Sequence, residues 1–241
     1  MPYYIGNSSL IGTGFVDENT GVHDLQVSRH HPVFTGYLAD FFTDTTPANI
    51  TTATQTVGTY NYAFSSTYGL QTWGDAATGF VYTVQATPSY STDILIQTSF
   101  YYGGTDNCPD PSIAIWPASA GRTSPLWAWS SSGTRIAAQN NCASYLAIYG
   151  TSTQSTGTSF TYASGSWYTM HFYHEPSLSR TRYFMTLRFE DWDQVGTQIG
   201  GTITLSTYYL NAIYVGLASD ADGYGPGQNS CRFSALKITE L

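Results

Sequence analysis

Apolar residues recur at every second position in many short segments, which is the pattern of half-buried β-strands. The alternating sets are Phe80, Tyr82 and Val84; Ile94, Ile96 and Thr98; Ile113 and Ile115; Leu146 and Ile148; Tyr168, Met170 and Phe172; Tyr183, Met185, Leu187 and Phe189; and Ile213, Val215 and Leu217. Clusters of Gly, Pro, Ser and Asp separate these sets as turns. The pattern predicts an all-β protein, built as a sandwich or jelly roll.

Two alternating runs near the C-terminus, residues 212–220 and 231–238, are joined by a segment rich in Gly, Asp and Pro. This arrangement predicts a closing β-hairpin. The composition agrees with an all-β fold, because Thr and 20 Tyr suit pleated surfaces while 23 Gly and 10 Pro suit many turns. Only 10% of the residues are charged, so uncharged polar side chains supply most of the surface polarity.

Three segments resemble a known family when they are taken together. YVGLASDAD (214–222) leads through a loop into SCRFSALKI (230–238), LADFFTD (38–44) carries a D-x-F strand, and SWYTM (166–170) precedes a further strand at 182–189. In this order they resemble concanavalin A-like, laminin-G-like jelly rolls. The resemblance implies two antiparallel sheets over residues 37–241, on a fold that serves sugar-binding proteins as well as enzymes.

Residues 1–36 lie outside that resemblance and are predicted to form an N-terminal arm or anchoring extension. A frayed terminus with one extra edge strand is the alternative. The first 20 residues lack the basic and apolar regions of a signal peptide. Either a signal was removed before this sequence begins, or the protein leaves its cell by lysis or assembly.

The net charge of −8 and the scattered Lys and Arg exclude a nucleic-acid-binding surface. The same charge disfavours anionic membranes, and no apolar run approaches the roughly 18 residues of a membrane helix. Three cysteines do not form a disulfide framework. Cys108 and Cys142 flank one predicted hairpin and could form a disulfide, in which case Cys231 is the third, remaining cysteine. The alternative is that all three are small buried or half-buried residues.

Glycoside hydrolysis on this fold needs two carboxylates about 5 to 9 Å apart. The Glu-x-Asp-x-(x)-Glu strand of laminarinase-type relatives is absent, and only four glutamates are present. Asp191 and Asp193 would share a face if the strand continued through them. We therefore expect that the protein is not an enzyme. We interpret Asp191 and Asp193 as the acidic end of a strand.

Candidate metal ligands fall into three groups. His171 and His174 would point to opposite faces of a strand and cannot chelate jointly. A cluster of His23, His30 and His31 lacks the Cys or carboxylate ligands that zinc sites usually add. The calcium candidates are oxygen ligands on a glycine-containing loop, with an acidic turn as the alternative: Asp220, Asp222 and Asn229. No other cofactor is expected.

Aromatic residues out of phase with the core positions give the main binding signal. Exposed rings beside amides and hydroxyls suit sugar recognition, although aromatic residues also anchor protein interfaces or fill a core. The candidate glycan- or partner-binding residues are Tyr101, Trp116, Trp127, Trp129, Tyr145 and Tyr149.

The sum of these features favours a non-catalytic virion protein of a bacteriophage, either a capsid decoration (cement) protein or a fibre adhesin. Its low-charge surface and polar arm are similar to laminin-G-like modules on phage particles. The expected partners are further copies in a homotrimer, other virion proteins and cell-surface glycans, and the expected location is the virion. The alternatives are a soluble lectin or carbohydrate-binding module and a glycoside hydrolase or polysaccharide lyase of the same fold.

Overall fold

Strands make up most of the described chain. In this computed structural model the described residues are 36–43, 50–52, 60–74, 80–86, 93–102, 111–120, 136–141, 145–149, 154–159, 163, 165–205, 213–219 and 231–241. Within them the strands are β1 (Gly36–Asp40), β2 (Ile50–Thr52), β3 (Tyr60–Ser65), β4 (Gly69–Gly74), β5 (Phe80–Ala86), β6 (Ile94–Tyr102), β7 (Ser112–Pro117), β8 (Ile136–Asn141), β9 (Tyr145–Tyr149), β10 (Gln154–Ser159), β11 (Ser166–Glu175), β12 (Arg180–Thr186), β13 (Gln198–Leu205), β14 (Ile213–Ser219), β15 (Cys231–Phe233) and β16 (Ala235–Glu240). Short 3-10 turns lie at Ala118–Ala120 and Pro176–Leu178. The all-β prediction is confirmed.

The described strands form two antiparallel sheets. The nine-stranded sheet has the order β13-β12-β11-β6-β15-β4-β3, with β16 also pairing with β6 and β1 lying beside β16. The seven-stranded sheet has the order β10-β9-β8-β7-β14-β5-β2. Strands distant in sequence therefore become neighbours, as they do in Greek-key and jelly-roll sandwiches.

The core lies between the two sheets and follows the alternation of the sequence. Ile96 and Phe172 of the larger sheet and Ile115 and Val215 of the smaller one belong to a single buried apolar cluster. Tyr82 of β5 links the sheets, because its ring packs edge-on against Phe41 at 4.7 Å. Its hydroxyl also lies 3.0 Å from the hydroxyl of Tyr37 in β1.

Two expectations about strand arrangement are wrong. The C-terminal runs do not form a hairpin, because β14 pairs with β5 and β7 in one sheet while β15 and β16 pair within the other. Alternation marks both runs as strands but carries no information about their partners. The predicted strand through Leu187 and Phe189 ends at Thr186, and both of these side chains are exposed.

The predicted N-terminal arm, residues 1–36, lies outside the described residues except for Gly36, which begins β1. The domain boundary at this position therefore stays a prediction. In the part of the chain that the structure describes, no helix is long and apolar enough to cross a membrane.

Candidate functional site

The face of the nine-stranded sheet that turns away from the core carries aromatic, polar and charged side chains. Even-numbered residues of β6, such as Ile96 and Phe100, enter the core. Because side chains alternate along a strand, Gln97, Ser99 and Tyr101 lie on the opposite face. We call this the outer face.

One line of residues crosses four neighbouring strands on the outer face. Trp167 of β11 is the register partner of Tyr101 of β6, and Tyr101 is in turn the partner of Arg232 of β15. Gln71 of β4 follows opposite Arg232. Direct cross-strand partners share a face, and strands are spaced by about 4.8 Å, so Trp167 and Arg232 stand about 10 Å apart across the sheet.

Rings gather around Trp167. It contacts Phe189 edge-on, with ring centroids 4.7 Å apart, and Tyr101 at 5.4 Å. Phe42 lies 6.5 Å from Trp167 and 6.3 Å from Phe189. The Trp167 contacts with Phe189 and Tyr101 and the Phe42–Phe189 contact are edge-to-face, an arrangement favoured for aromatic pairs, while the Phe42–Trp167 pair is tilted. We call Phe42, Tyr68, Tyr101, Trp167, Phe189 and Arg232 the aromatic patch.

Arg232 lies between two rings of the aromatic patch. Its guanidinium carbon is 4.2 Å from the centre of the Tyr68 ring and 4.7 Å from that of Tyr101. Both distances fall in the range of cation–π attraction. Its Nε is buried and has no hydrogen-bond partner among the described residues. The side chain as a whole is half-buried, so the patch presents a cation as well as rings.

A tight turn between β3 and β4 places Tyr68. The backbone N–H of Tyr68 donates to the hydroxyl of Ser65 at 2.9 Å. The next residue, Gly69, has a φ of +68°, and a Cβ added there would lie 2.2 Å from the carbonyl oxygen of Phe233. Only glycine allows this left-handed backbone to approach β15 so closely, and Tyr68 then reaches the Arg232 side chain.

Residues 187–197, which link β12 to β13, fold back over the outer face, and we call them the crossing segment. The Thr169 hydroxyl donates to the carbonyl of Arg188 at 2.6 Å and accepts from the N–H of Asp191 at 3.1 Å. Gln97 donates to the carbonyl of Trp192 at 2.8 Å. These bonds satisfy backbone groups that lack sheet partners.

Asp191 is held inside the crossing segment and is 3% exposed. Its carboxylate accepts from the N–H of Val195 at 3.0 Å and of Gly196 at 2.8 Å. Burial by itself would raise the pKa of Asp191, but these hydrogen bonds lower it overall. Asp193 is exposed, and β12 ends at Thr186, so the condition under which the two aspartates would share a face is not met. The strand ends before them, and one carboxylate is enclosed while the other meets solvent.

His171 and His174 lie on opposite faces of β11, as the alternation predicts. His174 pairs with Ile94 on the core side. His171 lies under the crossing segment, with its Nδ1 3.0 Å from the amide nitrogen of Gln97. Burial lowers the pKa of His171 to about 4, against the opposing influence of Asp191. The described residues contain no group of three His, Cys, Asp or Glu that would hold a metal ion.

The predicted aromatic residues differ in their location and exposure. Tyr101 belongs to the aromatic patch. Trp116 faces away from the core cluster, as predicted, but it is only 1% exposed and packs against Tyr214 at 5.8 Å. Of the interpretations left open for these rings, the burial of Trp116 favours packing within the protein over an exposed binding position. Tyr145 and Tyr149 are the first and last residues of β9, and only their backbone is described.

Several other predicted positions lie outside the described residues: Trp127, Trp129, Cys108, Cys142, Asp220, Asp222, Asn229, His23, His30 and His31. The calcium site and the disulfide therefore stay predictions. Cys231 is buried in the core cluster.

Trp167 and Arg232 were not among the candidate residues predicted from the sequence, although both carry a usable signal. Trp167 is out of phase with the core set of β11, and Arg232 stands between the buried Cys231 and Phe233. An out-of-phase position next to a buried one marks the outer face. No such signal exists for Tyr68, which lies in a turn.

No family model matches the chain, and no curated protein is similar to it in sequence. Similar solved structures are plant lectins. Lectin II from Ulex europaeus is 14% identical, with a TM-score of 0.57 over 85% of this chain and 97% of the lectin. Lectin I from Ulex europaeus, in complex with the methyl glycoside of α-L-fucose, is 13% identical, with a TM-score of 0.58 over 86% and 99%. Peanut lectin with a 9mer peptide is 11% identical, with a TM-score of 0.58 over 86% and 97%. The chain therefore has the legume-lectin-like jelly-roll fold, as the concanavalin A-like resemblance implied.

Proposed function

We propose that this chain is a non-catalytic carbohydrate-binding protein that stacks sugar rings on the aromatic patch. The observation that carries the proposal is the cross-strand alignment of Trp167, Tyr101 and Arg232 on the outer face. Strands hold these residues in a fixed geometry, which lowers the ordering cost of binding. The rings offer an apolar surface to the C–H face of a pyranose, and edge contacts with neighbouring rings keep Trp167 in place.

The lectin-like sandwich supports this proposal at the level of fold. A shared fold does not assign a binding site, so the proposal depends on the patch itself. Tyr68 and Phe189 are 39% and 43% exposed, and a neighbouring ligand can therefore reach them.

A glycan array followed by titration calorimetry tests the proposal. We expect Trp167→Ala to weaken binding of the best array ligand at least about tenfold, as removal of a central aromatic anchor usually does. Trp192→Ala is the matched control, because Trp192 is a half-buried tryptophan of the crossing segment that contacts Lys237 rather than the patch. Equal affinity of wild type and Trp167→Ala would contradict the proposal.

The hydrolase alternative has a direct test. We expect no turnover on a polysaccharide panel, since Asp191 is enclosed by backbone donors and Asp193 points to solvent. Turnover that Asp191→Asn or Asp193→Asn abolishes would instead make the protein an enzyme.

We place this binding activity on a bacteriophage particle, as a decoration protein or fibre adhesin. The support is compositional: 10% charged residues, 20 tyrosines and a polar segment ahead of the sandwich. Antibodies against the chain should label purified particles in electron micrographs. Recovery of the protein only in the particle-free fraction would favour the soluble lectin.

A further inference from the structure

We infer that the ligand of the aromatic patch carries a carboxylate, which Arg232 binds, next to a neutral sugar ring stacked on Trp167. This inference rests on the proposed function, because it assigns the ligand class of the same patch. It concerns an acidic sugar such as a uronic acid within an oligosaccharide.

Arg232 differs from Arg180, Arg182 and Arg188 in having no carboxylate partner within the described part of the chain. Arg180 and Arg182 both pair with Glu175, at 2.9 Å and 2.7 Å, and Arg188 lies 4.0 Å from Asp191. Arg232 makes no ion pair within the described part of the chain, although the protein carries a net charge of −8. Its neighbours are rings, so its positive charge is left for a ligand.

Two rings hold the Arg232 guanidinium. Tyr68 and Tyr101 lie against it at 4.2 Å and 4.7 Å, which restricts the side chain. A planar guanidinium held in this way keeps its edge for a planar oxyanion, which it binds through paired N–H donors. Because Nε is itself buried, the paired donors for a ligand carboxylate would be those of the two terminal Nη nitrogens.

Trp167 and Arg232 are spaced so that two sugar rings could contact them together. Tyr101 separates Arg232 from Trp167, which places them about 10 Å apart, or two strand spacings. This span suits two adjacent sugar rings. The Trp167 end offers aromatic rings, whereas the other end offers the Arg232 cation, so the expected ligand has one acidic ring beside a neutral one.

Calorimetry with matched oligosaccharides that differ only in a glucose or a glucuronate unit tests the inference. We expect the acidic member to bind at least about tenfold more tightly, and we expect added salt to reduce this preference. Arg232→Gln should remove the preference while weak neutral binding remains, and Arg232→Lys should restore only part of it. Lys237→Gln is the control, because it removes the same charge from a half-buried position over Trp192. Circular dichroism melts verify that each variant is folded.

The outcomes distinguish failure of the carboxylate inference from failure of the proposed glycan-binding function. Equal affinity for both members, with binding still lost in Trp167→Ala, overturns the carboxylate and leaves the glycan-binding function intact. Tighter binding of a sulfated analogue than of the glucuronate also overturns the carboxylate assignment. Absence of binding to every glycan overturns both proposals. A change of oligomeric mass in Arg232→Gln, without any glycan binding, would assign the patch to a second copy of the chain.

Discussion

At the scale of single residues, two glycines with positive φ distinguish the cost of backbone strain alone from the cost of strain combined with a steric clash. Gly69 has a φ of +68° and no room for a Cβ beside the Phe233 carbonyl, whereas the nearest atom at Gly165 is the Tyr101 hydroxyl at 3.7 Å. We expect Gly165→Ala to lower the free energy of unfolding by about 1 kcal/mol, and Gly69→Ala to lower it by clearly more. Thermal melts of both variants test this, and equal losses would show that the turn shifts freely.

The hydroxyl of Thr169 connects β11 to the crossing segment. It is hydrogen-bonded to the carbonyl of Arg188, the N–H of Asp191 and the hydroxyl of Ser99. Thr169→Val keeps the shape but removes the bonds to the Arg188 carbonyl and the Asp191 N–H, while Ser99 still accepts from the N–H of Glu190. The loss should cost about 1–3 kcal/mol. Hydrogen exchange at the Asp191 amide should accelerate as well. Thr98→Val, which removes a single bond to the Ala235 carbonyl, is the control and should leave that amide protected.

At the scale of elements, the burial of His171 under the crossing segment makes the free energy of unfolding depend on pH in the acid range. The pKa of His171 is about 4 in the folded protein, below its ordinary value of 6.5. Between these two values the unfolded chain takes up a proton that folded His171 does not, so stability falls as the pH is lowered from 6.5 toward 4. The loss should reach about 3 kcal/mol. The lowered pKa of Asp191 adds a further loss at still lower pH, as its carboxylate is protonated.

Denaturant unfolding from pH 7 to pH 4 measures this loss. His171→Gln should flatten the dependence in that window, because the titrating group is gone. A slope unchanged in the variant would show that other groups govern acid stability.

At the scale of the whole molecule, the proposed place on a particle predicts self-association. Light scattering of the purified protein should give about three times the chain mass of 26.3 kDa. A monomer at all concentrations would contradict the trimer and favour the soluble lectin. A trimer that dissociates only with a chelator would support calcium at Asp220 and Asp222.

Most of the fold could be predicted because side-chain alternation is a local property. The core positions of β6, β7, β11 and β14 follow directly from the apolar spacing. The candidate site could be predicted from the sequence only in part. Tyr101 could be identified as out of phase with its strand, but Trp116, chosen by the same rule, is covered by other residues. An outward direction does not fix exposure, because exposure depends on what packs above the strand.

The amino-acid sequence by itself determined the strands, the face that each strand buries and the scarcity of charge. Only the tertiary structure decided which strands are neighbours, and hence that Trp167, Tyr101 and Arg232 lie side by side. It also decided that residues 231–238 leave the sheet of β14, and that the crossing segment encloses Asp191. The physical reason is that alternation acts between adjacent residues, whereas register and cover arise from contacts between distant segments that form only when the chain is folded.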